Sequence, residues 1–276
     1  MPLHTLPSTL HSPPSTFHCI SWNVNSIRSR LGHLQQVLRE HQPDVVLLQE
    51  LKCEEADFPH LEIQAAGYHA AVVGQKTYNG VAVLSKQLAK IVTTALPGDD
   101  TDAQARFIDV ELPGGWRVIS VYVPNGQEVG SEKYAYKLNF LRRLHAYTHG
   151  LLASEAKVVI GGDYNVALTD ADVHDPKTWQ GQILCSPPER QAVYGLLHQG
   201  WRDTFRQLHP DAHDYSWWDY RSGGFERNLG LRIDYILSSP AASDRLERAS
   251  IRREPRTWDK PSDHAPVVAE FKIDSK

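Results

Sequence analysis

Apolar residues along the chain fall into short runs with two kinds of spacing. Ten stretches read as strands: residues 17–23, 44–50, 68–74, 80–85, 90–96, 106–112, 116–123, 157–163, 232–238 and 266–273. Several alternate at period two. In 116–123, Val118, Ser120 and Tyr122 fall on one side and Ile119, Val121 and Val123 on the other, because successive side chains of a strand point to opposite faces. Others are solidly apolar, the pattern of a strand covered on both faces. Helical spacing links Ile27, Leu31, Leu34 and Leu38, and again Tyr134, Leu138, Leu141 and His145. A third helix is predicted over 188–198, with Glu189 and Arg190 in its first turn, and a short one near 58–66.

Many strands and few helices, with no internal repeat and no long linker, predict one α/β domain. Its two sheets would pack face to face with helices outside. Residues 1–16, rich in Pro, Ser and Thr, read as a disordered tail, leaving 17–276 as the single catalytic domain. That tail lacks the charged and apolar regions of a secretory signal and contains no Arg. The stretch 169–187 is long for a loop of a compact domain, and long ordered loops are often functional.

Composition narrows the class without naming a reaction. A hydrophobic content of 41% supplies a core, and no apolar run is long enough for a transmembrane helix, so no membrane partner is expected. There are 29 Lys+Arg against 33 Asp+Glu, a formal charge of −4. That balance disfavours a generally basic nucleic-acid binder, so any DNA-binding face must be local. Cys19, Cys53 and Cys185 are odd in number and form no CxxC. Reduced thiols and a cytoplasmic location follow, rather than a disulfide framework or a zinc ribbon.

The chemistry sits at the strand ends. In "KVVIGGDYNV" (157–166) an apolar run reaches Gly161 and Gly162, read as a turn, and then Asp163 and Asn165. In extended chain those two side chains would face one point, although an Asx-turn explains the pair equally well. The pattern repeats in "SWNVN" with Asn23 and Asn25, in "LLQE" with Gln49 and Glu50, and in "VYVPNG" with Tyr122. It appears again in "LRIDYIL" with Asp234 and in "KPSDHAP" with Asp263 and His264. Each ending alone fits a solvated turn or a satisfied buried carboxylate. Six of them, from strands far apart in sequence, do not.

The ordered set WNVN, LQE, YNGVAVLS, YVPNG, GGDYN, DTFR, SWWDYRSGGF, GLRIDYIL and KPSDHAP resembles the exonuclease III family. These are DNA-repair apurinic/apyrimidinic (AP) endonucleases of the endonuclease/exonuclease/phosphatase superfamily, and the resemblance runs from about Phe17 to Phe271. It implies a four-layer α/β/β/α sandwich of two packed mixed sheets with outer helices. It also implies Mg²⁺- or Mn²⁺-dependent hydrolysis of double-stranded DNA at AP sites and at blocked 3′ ends, by a monomer. By the same resemblance, the catalytic set is Tyr122, Asp163, Asn165, Asp234 and His264. Glu50 is the main metal position, with Asn23 and Asp263 accessory, and Asp163 and Asn165 approach a metal in some members. Asn25 stands where some members carry an aspartate.

Tyr78, Asn79, Arg106, Trp217, Trp218 and Arg221 match or neighbour DNA-contacting positions, and one of the two tryptophans would pack on the base-free sugar. The same fold also serves other phosphodiesterases, and a non-catalytic damage-binding member is a third reading. "SWWDYRSGGF" and "GLRIDYIL" favour the exonuclease III type, and the intact polar set favours an enzyme. Two tempting features, "HPDAHD" (209–214) and "RREPR" (252–256), read as a surface loop and a solvated charged edge.

Overall fold

A computed structural model describes residues 16–273. The expected tail lies outside them except for Thr16, which pairs with Lys272 at the start of the first strand. In chain order the elements are β1 (Thr16–Asn23), α1 (Leu31–His41), β2 (Val45–Gln49), α2 (His60–Ala65), β3 (His69–Val73), β4 (Val81–Ser85) and β5 (Lys90–Thr93). They continue with β6 (Phe107–Leu112), β7 (Trp116–Tyr122), α3 (Glu132–Leu152), β8 (Lys157–Asp163), α4 (Pro176–Trp179), α5 (Pro187–Gln199), β9 (Arg202–Asp203) and α6 (Thr204–Leu208). The last are β10 (Trp217–Trp218), β11 (Gly230–Leu231), β12 (Asp234–Ser238), α7 (Pro240–Ser243), β13 (Leu246–Ile251) and β14 (Val267–Lys272).

Two mixed six-stranded sheets result, in the orders β13-β14-β1-β2-β4-β3 and β5-β6-β7-β8-β12-β9. Apolar clusters define four layers. Leu34, Val37, Leu38 and Ile63 of α1 and α2 pack on Ile20, Val46 and Leu48 of the first sheet. Leu47, Val83 and Phe271 meet Ile108, Val118 and Val159 between the sheets. Phe140, Leu144, Val193 and Leu196 of α3 and α5 cover Ile119, Val121 and Ile160 of the second. The alternation read in 116–123 is the one observed, with Val118 and Tyr122 facing the other sheet and Ile119 and Val121 facing the helices.

Each sheet contains one parallel pair among its described strands, β1 with β2 and β7 with β8. Parallel strands end on the same side, so Asn23 lies beside Gln49 and Tyr122 beside Asp163. The helices begin with local caps. Ser131 Oγ accepts the Tyr134 N–H at the start of α3. Ser186 and Glu189 form a capping box at the start of α5.

Gly161 and Gly162 are not the turn that the sequence suggested. Both lie inside β8, and they are glycine because of close packing. A Cβ on Gly161 would sit 2.5 Å from Leu47 Cδ1, and one on Gly162 would sit 2.0 Å from the Val121 carbonyl oxygen. The stretch 169–187 is also more ordered than a plain loop, with a 3₁₀ turn at Asp170–Asp172 and the short α4. Arg256 corrects the reading of "RREPR" as a solvated edge: it is buried, with its guanidinium over Trp218, Tyr220 and Phe225.

The Gly162 contact is with rigid backbone, so Gly162→Ala should destabilise the fold by about 1–3 kcal/mol. Urea denaturation should show a lower midpoint, and an unchanged midpoint would mean that β8 yields without cost.

Candidate active site

Seven of the expected residues converge where the two parallel pairs end. Asn23, at the end of β1, is fully buried, and its Nδ2 donates to Glu50 Oε1 at 3.0 Å and to Asp163 Oδ2 at 3.0 Å. Tyr122 OH donates to the same Glu50 oxygen at 2.7 Å. Glu50 follows β2 with a left-handed backbone (φ +53°) that turns its carboxylate toward the site. Asp163 Oδ1 accepts the Asn165 N–H at 2.9 Å. Asn165 is itself left-handed (φ +50°), so the chain is no longer extended there. The Asx-turn and the functional pair are therefore the same structure. Asn165 Nδ2 donates to the Val123 carbonyl, and its Oδ1 accepts from Asn125 Nδ2.

His264 stands between two carboxylates. Its Nδ1 lies 2.9 Å from Asp234 Oδ2, and its Nε2 lies 3.7 Å from Asp163 Oδ2. Ser216 Oγ donates to Asp234 Oδ2 at 2.6 Å, and the Trp22 ring N–H holds the His264 carbonyl. Burial would discharge the imidazole, but Asp234 and Asp163 outweigh it and raise His264 to about 10. Burial pushes Asp163 up to about 7, with His264 opposing and Asp234 and Glu50 adding to the rise. Burial also works against the Glu50 carboxylate. Lys52, Asn23, His264 and Tyr122 together still leave it below its ordinary value. The Tyr122 phenol is pushed well up by burial and by Glu50 and Asp163, so it stays a proton donor.

Asp263 lies beside this group, with both oxygens engaged. Oδ1 accepts from Asn25 Nδ2 at 2.8 Å and Oδ2 from Trp217 Nε1 at 3.0 Å. Glu50, Asp163 and His264 instead offer ligand atoms all within 4.8 Å of one another. The Lys52 ammonium, 3.0 Å from Glu50 Oε2 and bonded to Asn25 Oδ1, already places a positive charge against this carboxylate. The Glu50 and Asp163 oxygens therefore suit a hard divalent cation, which prefers oxygen donors. His264 is the poorer ligand, because its Nδ1 is turned to Asp234 and its remaining donor is a nitrogen rather than an oxygen.

The remaining candidates lie on either side. Tyr78, Asn79 and Arg106 line a cleft of about 490 Å³ with Tyr122 and Asn125. Arg106 lies over the Tyr122 ring, 4.7 Å from its centre. Asn79 is buried and its amide donates to Gln75 and Gln104. Arg221 is exposed and paired with Asp219, next to Tyr220, whose hydroxyl accepts from Asn25. The two tryptophans part company. Trp217 is half-buried, bridged to His264 and backed by Leu231 and Ile233. Trp218 is fully enclosed against Tyr215 and Ala265, which corrects its assignment to the DNA face.

Sequence reasoning missed Lys52, Asn125, Ser216 and Tyr220. Asn125 lies in the same "YVPNG" stretch as Tyr122 and could have been found there. Ser216 and Tyr220 lie in "SWWDYRSGGF", but the role of Ser216 appears only when the fold brings Asp234 beside it.

The pattern of the endonuclease/exonuclease/phosphatase family matches residues 20–264. This chain belongs to that family. It is 39% identical over 264 residues to exodeoxyribonuclease III of Haemophilus influenzae, spanning 92% of this chain and 99% of the relative. It is 33% identical to the DNA repair nuclease APEX1 of Danio rerio, over 90% of this chain and 80% of that one. Among solved structures it resembles the 3′ phosphatase NExo from Neisseria, bound to a product DNA hairpin. That match has a TM-score of 0.91 and 42% identity, covering 93% of this chain and 100% of the other. An AP endonuclease from Archaeoglobus fulgidus matches with a TM-score of 0.89 and 37% identity, over 93% and 100% of the two chains. Family membership makes this protein a phosphodiester hydrolase of the exodeoxyribonuclease III and AP endonuclease type.

The raised His264 gives a direct test. Its pairing stabilises the fold fully below the ordinary histidine value near 6.5, and that contribution is lost as pH rises through about 10. In protein stripped with EDTA, the His264 ring should stay protonated through pH 8 by NMR, and Asp234→Asn should lower its midpoint. A wild-type midpoint near 6.5 would contradict the clamp.

Proposed function

We propose that this protein is a Mg²⁺- or Mn²⁺-dependent DNA repair nuclease. It hydrolyses the phosphodiester 5′ to an AP site in double-stranded DNA, and it trims 3′ ends as an exonuclease and phosphatase or phosphodiesterase. The observation that carries this reading is His264, held between Asp234 and Asp163 beside the Glu50 carboxylate. The names of the relatives point the same way: exodeoxyribonuclease, AP endonuclease and 3′ phosphatase.

The barrier to this reaction is charge. A water must reach an already anionic phosphate, and an alkoxide must leave. When bound at Glu50 and Asp163, the divalent ion supplies charge neutralisation at the phosphate. The chain's own groups do the rest. His264 donates its Nε2 proton as a hydrogen bond to a phosphate oxygen. Tyr122, whose hydroxyl proton rests on Glu50, turns it to the same group when substrate binds. Asp163, raised toward neutrality, accepts the proton of the attacking water as its oxygen bonds to phosphorus. The P–O3′ bond breaks, and the departing 3′ oxygen takes up a proton from solvent water. The amide of Asn165 orients the phosphate, with Asn125 as its neighbour. His264 and Asn165 are braced before substrate arrives, so little reorganisation of these groups remains for the transition state.

Trp217 is our choice for the base-free sugar, because its ring is partly open and adjoins His264. A flat apolar surface accepts a sugar that carries no base. The local positive charge that the acidic chain requires would come from Arg106 on one flank, and on the other from Arg221 once a phosphate displaces Asp219 from it.

Incubation with an AP-site duplex, with and without EDTA, tests the reading. Cleavage should need the added divalent ion. Asp163→Asn, His264→Ala and Glu50→Gln should each lose on the order of 10²–10³ in rate while staying folded by circular dichroism. Full activity in EDTA, or any of the three within about twofold of wild type, would reject the assignment. Binding of the duplex without cleavage would favour a damage-binding protein instead.

The pocket has its own test. Trp217→Ala should weaken AP-site cleavage roughly ten- to hundredfold, since aromatic packing of this kind is worth about 1–3 kcal/mol. Removal of a 3′-phosphate should fall less. Trp218→Ala should mainly lower the melting temperature. Equal losses of both activities in Trp217→Ala would show that its ring only supports the fold.

A further inference from the structure

Lys137 lies in the second turn of α3, on its buried face, and the site as described makes no use of it. Its side chain is 0% exposed, and so is that of Glu189, with which it forms an ion pair. Its Nζ also donates to the Asn165 carbonyl at 2.6 Å and to the Asn125 carbonyl at 3.1 Å. Three donors of one ammonium thus meet three acceptors, one from α5 and two from the site's backbone. Glu189 is equally engaged, since it accepts from the Leu184 and Ser186 N–H groups at 3.1 and 3.0 Å.

A buried ion pair is a poor way to stabilise a fold. An apolar pair of similar size is often as good or better. A buried charge does supply strong directional bonds to groups that need fixing. Asn165 is such a group. Its backbone is left-handed, and its N–H is spent on Asp163. Its Oδ1 accepts from Asn125, so the two residues form one unit. Lys137 grips the backbone of both members. Next to them, Gly126 leaves room for the lysine stem, and a Cβ there would approach Lys137 Cδ to 3.0 Å.

We propose that Lys137, backed by Glu189, is a positioning residue for phosphodiester cleavage: it fixes the backbones of Asn125 and Asn165 so that their side-chain amides meet the substrate. This rests on the nuclease reading above. Loss of the grip should lower kcat more than it raises KM, because the amides would still be present but no longer held.

The test is a mutant cycle on AP-duplex cleavage. The variant Lys137→Met/Glu189→Gln removes both charges together and keeps a glutamine for the α5 cap. Its kcat should fall roughly ten- to hundredfold, the size expected when reacting groups lose their alignment. In an Asn125→Ala/Asn165→Ala background the same pair of changes should cost little more, since the lysine acts through those two residues. Should the paired variant not fold, Lys137→Gln and Lys137→Met replace it, and the glutamine, which keeps a donor, should retain more activity. A kcat within about twofold of wild type, losses that multiply in the Asn125→Ala/Asn165→Ala background, or equal rates for glutamine and methionine would overturn the inference. A wild-type protein that does not cleave would fail the nuclease reading itself, and this inference with it.

Discussion

The Asn23 amide touches one carboxylate from each sheet, Glu50 and Asp163, each at 3.0 Å. That double contact is possible only because the sheets approach very closely at this end. Gly161 presents no side chain to Leu47 and Ser21, and a methyl group there would overlap both. The inter-sheet core thus ends at a narrow seam, and the polar ends of both parallel pairs open into it. Two carboxylates at such a seam would repel in a low-dielectric setting. The Asn23 amide, the Lys52 ammonium and the His264 imidazolium supply the compensation.

His264 carries the consequence to the far side of the seam. It precedes β14 in the first sheet, yet its partner Asp234 opens β12 in the second. Trp22 and Ser216 hold the two ends of that contact. The imidazole therefore cannot turn away without leaving the Asp234 carboxylate short of a partner inside the protein, which is costly. A site braced in this way is rigid before it binds anything. That rigidity makes hydrogen-bond donors effective against charge that develops in a transition state. Lys137 extends the same bracing to the backbone beneath Asn165.

Much of this was legible in the sequence. Strong apolar runs predicted the ten longer strands other than β13, and β3 to β8 lie within a few residues of their expected positions. Polar residues just past those runs marked Glu50, Tyr122, Asp163 and Asp234. The missed strands have physical reasons. Those of two residues, β9, β10 and β11, are too short to show a period, and β13 is an edge strand whose Glu247 and Arg248 break its pattern. What sequence could not give was partnership. Gly161 and Gly162 looked like a turn because glycine for close approach and glycine for bending read alike. Trp217 and Trp218 are chemically the same and differ only in which face of β10 they occupy. Lys137 and Glu189, far apart in sequence, are ordinary helix residues until the fold brings them together.

The proposed reaction requires a divalent cation in the seam, on Glu50 and Asp163, with His264 left free for the substrate. Anomalous scattering from crystals soaked in Mn²⁺ tests it most directly. A peak is expected within ligand distance of Glu50, on the Asp163 side, with Lys52 displaced and His264 Nε2 uncoordinated. A peak on His264, or manganese bound at Asp263 and absent from Glu50, would contradict it.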